Sequence, residues 1–249
     1  MPANDTLGVT PVVLLPGLLC DQDVWLDFIG RHGAGRQHLV ADYGHADSLS
    51  AMAQGVLDRA PWPRFAVAGH SMGGRVALEM LRLAPQRLAG LALLDTGIHA
   101  LRPGEAGEKE KAGRYQLLQL AETQGMRAMA RAWVQGMIHA RFLGTGLEDQ
   151  VVQMLERKTP DIFKAQIQAL LGRRDPTDLL GGIRVPTLVA CGEEDQWSPW
   201  AQHQHIASLI PGAVLEAYPE AGHMAPMETP ENVSGSLARW LDRVDQAEA

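Results

Sequence analysis

Ser71 stands between a short, wholly apolar run and a helix-length amphipathic stretch, in the order Val67-Ala68-Gly69-His70-Ser71-Met72-Gly73-Gly74. Few backbones accept that arrangement. Passing from strand to helix at one residue forces a sharp turn, so the serine takes a strained conformation. The glycines two before and two after it let neighbouring backbone approach. Such a turn pushes the serine oxygen out from the end of a sheet and aims a helix N-terminus at it. A glycine-rich turn with an incidental serine is the plain alternative. The apolar run before it and the helical pattern after it argue against that reading.

The rest of the chain repeats the same alternation. Apolar runs at Pro11–Leu15, Gln37–Ala41, Phe65–Ala68, Leu88–Leu94, Val185–Cys191 and Ala213–Tyr218 are bounded by Gly, Pro or charge. Continuous rather than alternating apolarity marks strands covered on both faces. Between them lie helix-length segments: Val24–Arg31, Leu49–Ala60, Met72–Ala84, Ala201–Leu209 and Glu231–Val244. Asp21, Ser48 and Ser198 are placed to cap the first, second and fourth of these. The β-α-β-α order predicts an α/β fold, a mostly parallel central sheet with helices on both faces. From Gly97 to Gly182 no strand is expected; helices are predicted over Lys109–Glu122, Met126–His139, Glu148–Lys158 and Pro160–Leu171. The chain is therefore divided into a core, residues 1–96 and 183–249, and a helical cap over the sheet, residues 97–182.

A serine hydroxyl is a weak nucleophile unless a base takes its proton and a carboxylate orients that base. His223, in Ala221-Gly222-His223-Met224-Ala225-Pro226 just past the last predicted strand, is the candidate base. His70 is the other histidine beside the serine, but adjacent side chains diverge on a tight turn, so it is expected to line the pocket wall. Asp195, in the loop Gly192-Glu193-Glu194-Asp195-Gln196-Trp197-Ser198-Pro199, is the candidate acid, because that loop opens on the same sheet edge as Ser71. Glu193 and Glu194 compete from nearer the strand end, and Asp95, at the end of Leu88–Leu94, is a further competitor. The oxyanion of an acyl-transfer intermediate needs two N–H donors. Met72, next after the serine, and Leu18, freed by the turn at Gly17, are the candidates.

Leu15-Pro16-Gly17-Leu18-Leu19, Gly69-His70-Ser71-Met72-Gly73-Gly74-Arg75, Gly192-x-x-Asp195-x-Trp197-Ser198-Pro199 and Gly222-His223-Met224-Ala225-Pro226 together resemble the α/β-hydrolase superfamily. Within it the chain resembles single-domain capped bacterial carboxylesterases, enol-lactonases, C–C bond hydrolases and cofactor-free "haloperoxidases", from about residue 11 to 244. The resemblance implies an α/β-hydrolase fold with an α-helical cap inserted after the sixth-strand position. It also implies a Ser71–Asp195–His223 triad. Two departures stand out: Pro16-Gly17 replaces the His-Gly of many relatives, and six strands are counted rather than eight. Ser71-Met72-Gly73-Gly74-Arg75 also resembles the menaquinone-pathway synthases of this fold, which implies contact between Arg75 and a substrate carboxylate. A helix arginine paired with a neighbouring acid is the other reading.

Composition narrows the rest. A formal net charge of −7 offers no basic surface for nucleic acid. The two cysteines, Cys20 and Cys191, form no disulfide framework and fit a reducing compartment; Cys20 is read as packing. Met1–Thr10 lacks Lys and Arg, and the run Val12–Leu19 is broken by Pro16-Gly17. Neither a signal peptide nor a membrane helix is expected, and the location is expected to be cytoplasmic. No His, Cys, Asp or Glu cluster has metal-ligand spacing and there is no phosphate loop, so neither metal nor cofactor is expected. Trp133, Met137 and Trp197, with Trp25 and Phe142, are either pocket wall or core. The cap carries 12 Lys and Arg against 10 Asp and Glu, and the remainder 10 against 19. That pattern suits either attraction of anions or an ordinary mixed surface. The activity expected is hydrolysis of small to medium carboxylic esters, thioesters or lactones through an acyl-serine, with a small-molecule substrate as partner and neither nucleic acid nor membrane. The alternative is C–C bond hydrolysis or a menaquinone-pathway-type lyase on the same triad. A ligand-binding scaffold on a retired hydrolase fold would lack triad members, and here each has a candidate.

Overall fold

Each of the six apolar runs forms a strand: β1 (Val12–Leu15), β2 (His38–Val40), β3 (Phe65–His70), β4 (Leu88–Leu94), β5 (Thr187–Gly192) and β6 (Val214–Tyr218). The computed structural model describes residues 9–249, so the reading of Met1–Thr10 falls almost wholly outside the described residues. The strands make one sheet in the order β2-β1-β3-β4-β5-β6, and every neighbouring pair is parallel. All residues of β1, β3, β4 and β5 are buried, as continuous apolarity requires, while the edge strands β2 and β6 are largely half-buried.

The helices are α1 (Leu26–His32), α2 (Leu49–Arg59), α3 (Met72–Leu83), α4 (Glu105–Gln124), α5 (Met126–Val134), α6 (Gly146–Glu156), α7 (Pro160–Leu171), α8 (Thr177–Leu180), α9 (Trp200–Leu209), α10 (Ala225–Glu228) and α11 (Pro230–Glu248). From β1 the chain moves outward to β2, crosses back to β3, and then runs the other way to β6. Neighbours β1 and β3 therefore send the chain in opposite directions from their C-terminal ends, which opens a crevice between them. Between β4 and β5 the chain builds only helices, α4 to α8. Among the described residues no helix is long and apolar enough to cross a membrane.

Local chemistry sets the element ends. Ser48 Oγ accepts the Ala51 amide at 3.2 Å and starts α2. Asp21 Oδ1 accepts the Asp23 amide at 3.0 Å, heading a 3₁₀ turn at Gln22–Trp25 that leads into α1. Ser198, expected as a cap, does not act as one. Pro199 occupies the cap position of α9 with its φ already suited to a helix start, and the Ser198 amide turns back to Asp195. Helix α5 stops at Val134, short of the expected His139, because the Met137 carbonyl and His139 amide are bonded to the segment around His223 instead. Finally, α3 is pressed against β1, where a methyl group on Gly73 would run into the Leu15 carbonyl.

Candidate active site

The turn between β3 and α3 holds Ser71 at φ 54° and ψ −118°, a left-handed region that costs a non-glycine residue about 1–3 kcal/mol. Three hydrogen bonds hold it there. The Ser71 amide donates to the Leu94 carbonyl at 2.9 Å, and the Ser71 carbonyl accepts the Gly74 amide at 3.0 Å and Thr96 Oγ1 at 2.6 Å. Thr96 is itself fixed, its amide donating to His203 Nε2 at 3.0 Å.

Ser71 Oγ lies 2.8 Å from His223 Nε2, and His223 Nδ1 lies 2.8 Å from Asp195 Oδ2. The other oxygen, Asp195 Oδ1, accepts the Trp197 amide at 2.8 Å and the Ser198 amide at 2.9 Å. Burial alone would raise this carboxyl. The charge and hydrogen bond of His223, with those two amides, hold it below its usual value. An ionised carboxylate only accepts, so the imidazole proton sits on Nδ1 and the Nε2 lone pair faces the serine hydroxyl. The arrangement can take a proton from Ser71 and stabilise the imidazolium that results.

The competing acids lie elsewhere. Asp95 is buried, accepts the Gly192 amide at 2.9 Å, and leaves its second oxygen 3.9 Å from His70 Nε2 without a hydrogen bond. Burial, and then the charge of Asp195, push its carboxyl well above the usual range. Glu193 and Glu194 are exposed, and Glu194 accepts the Ala221 amide at 3.1 Å. His70 borders the cavity as expected and donates Nε2 to the His223 carbonyl at 2.8 Å. Burial, together with the neighbouring His223, pushes it down to about 3, so it stays neutral.

Supporting side chains have no signal in the sequence. Glu228 accepts three amides, from Met224 at 2.8 Å, Gly222 at 2.9 Å and His139 at 2.8 Å. It thereby clamps both sides of His223 and joins that loop to the helical segment. Tyr43 Oη donates to the Pro16 carbonyl at 3.1 Å, and Gln166 Oε1 accepts the Leu19 amide at 2.8 Å. These two side chains fix the turn after β1. The Leu18 and Met72 amides are left unbonded among the described residues, and both residues border the cavity.

That cavity has a volume of about 770 Å³. Trp133, Met137, Trp197 and Phe163 line its apolar side; the Trp133 and Trp197 rings stack at 5.6 Å, and Trp197 lies 4.9 Å from the His223 ring. Trp25 is core, and Phe142 lies outside the cavity beneath Arg141. Cys20 borders the cavity, but burial pushes its thiol up to about 12, which keeps it unreactive. Arg75, Lys109, Glu110, Arg114 and Arg173 form the opposite, charged end.

The His203 contact makes stability depend on pH. Burial pushes His203 down to about 4, so the unfolded chain binds a proton there between roughly pH 4 and 6.5 that the folded chain refuses. Stability at this site is therefore full above that window and is lost as pH falls through it. Urea unfolding at pH 5 and 6 is expected to show His203→Gln with a shallower slope than wild type, by up to about 1.4 kcal/mol per pH unit. Equal slopes would refute the assignment.

Fold and sequence define one class for this chain. The chain belongs to the alpha/beta hydrolase family, whose sequence model, described as "alpha/beta hydrolase fold", matches residues 31–230. It is similar to the dihydrolipoyllysine-residue acetyltransferase component of the acetoin cleaving system of Pseudomonas putida, 29% identical over 94% of this chain and 64% of that protein. The chain thus spans less than two thirds of that relative. It is 28% identical to the pimeloyl-(acyl-carrier protein) methyl ester esterase of Nitrosomonas europaea, covering 91% of this chain and 94% of that one. A thermophilic esterase from Thermogutta terrifontis, solved with malate bound, is similar in structure with a TM-score of 0.83 at 26% identity, covering 95% and 90% of the two chains.

Proposed function

We propose that the protein hydrolyses small to medium carboxylic esters, thioesters or lactones through an acyl-serine intermediate. The observation that carries this reading is the pair of 2.8 Å contacts linking Ser71 to His223 and His223 to Asp195. His223 Nε2 takes the hydroxyl proton as Ser71 Oγ bonds to the carbonyl carbon, and the carbonyl π electrons move onto its oxygen. The Leu18 and Met72 amides receive that oxyanion, and each such donor is worth about 2.7–4 kcal/mol. The oxyanion collapses, the leaving oxygen or sulfur takes the proton from His223, and acyl-Ser71 remains. A water molecule, deprotonated by the same imidazole, then releases the acid and restores the serine. Helices within residues 97–182 act as a cap that sorts substrates, with Trp133, Met137 and Trp197 receiving hydrocarbon. The esterase relatives support this reading, and the buried free thiols Cys20 and Cys191 suit a cytoplasmic protein.

A C–C bond hydrolase or lyase on the same residues is the second reading. It is favoured by one observation: Arg75 borders the cavity without a carboxylate partner among the described residues. A chain-length series of p-nitrophenyl esters, with fluorophosphonate labelling mapped by mass spectrometry, separates the two. Turnover with a chain-length optimum and a label on Ser71 are expected. Labelling without ester turnover would move the second reading to the front; neither labelling nor turnover would overturn both.

A further inference from the structure

Resting on the ester reading, we propose that Gln166, on helix α7, is a positioning residue for the oxyanion hole. It holds the turn after β1 in the form that aims the Leu18 amide at the reacting carbonyl oxygen. One of the two oxyanion donors is in this way kept in place by a side chain from the helical segment between β4 and β5.

The turn is strained at the point where Gln166 grips it. The Cys20 amide donates to the Gly17 carbonyl at 3.1 Å, which closes a four-residue turn with Leu18 and Leu19 in the middle. Leu19 has φ 60°, whereas Leu18 is not among the residues with positive φ. Positive φ at the third residue alone is the type II pattern, a place for glycine or asparagine. A type I turn would relieve the leucine: Leu19 returns to negative φ, and the peptide between Leu18 and Leu19 turns over. That peptide carries the Leu19 amide, the very group that Gln166 Oε1 accepts at 2.8 Å. The bond therefore belongs to the strained turn and is broken in the relaxed one. Leu18 stands at the corner before the peptide that would turn over. Its own amide, unbonded and at the cavity, keeps its aim only while Gln166 holds. Tyr43, bonded to the Pro16 carbonyl, steadies the approach to the turn but does not reach that peptide.

Gln166 occupies a place where an apolar residue would pack more cheaply. Phe163, Gln166, Ile167 and Leu170 share one buried face of α7, and Gln166 is 2% exposed. An amide held out of water needs a bonding partner, and here the partner is backbone of the oxyanion turn. Phe163 and Leu170 of the same face line the cavity. The strain at Leu19 also has company. Four non-glycine residues among those described have positive φ, and Leu19, Ser71 and Asp95 each follow one of the adjacent strands β1, β3 and β4. Backbone strain gathered at one sheet edge is held there by its surroundings, and at Leu19 the holding group is Gln166.

The test compares Gln166→Met, which keeps length and packing without a strong acceptor, with Gln166→Glu, which carries an accepting oxygen whether protonated or not. Deleting an oxyanion donor outright lowers kcat by about 10²- to 10³-fold. A donor let out of line in Gln166→Met is expected to lower kcat for the best p-nitrophenyl ester by about ten- to a hundredfold, with KM within about twofold. Phosphonylation of Ser71 by a fluorophosphonate, whose phosphoryl oxygen takes the oxyanion's place, should slow by a similar factor. Gln166→Glu should stay closer to wild type than to Gln166→Met in both measurements. If Gln166→Met does not fold, Gln166→Asn, an amide one methylene short of Leu19, takes its place. Unchanged kcat and labelling, a rise in KM in place of the fall in kcat, or equal losses in the Met and Glu variants would overturn the assignment, while turnover by the wild type leaves the ester reading standing. Slowed labelling of Gln166→Met, in a protein inert to every ester, has the opposite meaning: the positioning role stands and the ester reading falls.

Discussion

Ser71→Ala is expected to lower kcat/KM for the best p-nitrophenyl ester by about 10⁴- to 10⁶-fold. On the proposed mechanism alanine removes the atom that forms the acyl-enzyme, and what is left is water at a prearranged carbonyl. Residual rate comes from the two amides and from binding, so it remains above the uncatalysed reaction. Adding His223→Ala should cost little more, because His223 acts through Ser71 and their losses do not add. The fold provides an internal control. Alanine keeps the Cβ and therefore the strain at φ 54°, whereas Ser71→Gly relieves it and should raise stability by about 1–3 kcal/mol. A serine held there against its own preference, and inert once removed, is what an evolved nucleophile predicts. A loss below tenfold would show that another group makes the bond.

Asp195→Asn is the second large effect, about 10⁴-fold in kcat. Oδ1 keeps the Trp197 and Ser198 amides, so the new amide nitrogen must take the place of Oδ2, facing His223 Nδ1. Two N–H groups cannot bond. The imidazole changes tautomer, Nε2 carries the proton, and the serine loses its acceptor. Thermal stability should change little, and kcat should fall far more than KM rises. Asp95→Asn makes the contrast. Burial pushes that carboxyl well above its usual range, so its charged form is disfavoured in the first place, and it does not touch His223; less than a tenfold loss is expected. Equal damage from the two variants would count against Asp195 as the orienting acid.

Much of this was legible in the sequence because it is local. Continuous apolar runs identify buried strands, and each of the six formed within a residue or two of the expected ends. Ser71 could be read because the glycines that permit its turn stand beside it, and Asp195 and His223 because each follows a strand that must open on the same edge. Glu228, Gln166 and Tyr43 could not. Each acts on backbone brought near by packing, and nothing in the neighbouring residues marks a side chain as a partner for backbone elsewhere. The overlong reading of the helix at Met126–His139 fails for the same reason. Its apolar spacing continues past Val134, but the hydrogen bonds that end it come from residues near 223 and 228. The charge count of residues 97–182 hinted at cations. Only the fold shows that Arg114 and Arg173 from that segment converge on Arg75 from the sheet side.

The contact between Met137–His139 and the histidine loop also ties the segment between β4 and β5 to the backbone of His223. The His223 amide donates to the Met137 carbonyl at 2.9 Å, and Glu228 holds the His139 amide at 2.8 Å. Loosening either bond would therefore reach the imidazole through its own backbone, without any change in the side chains that touch it.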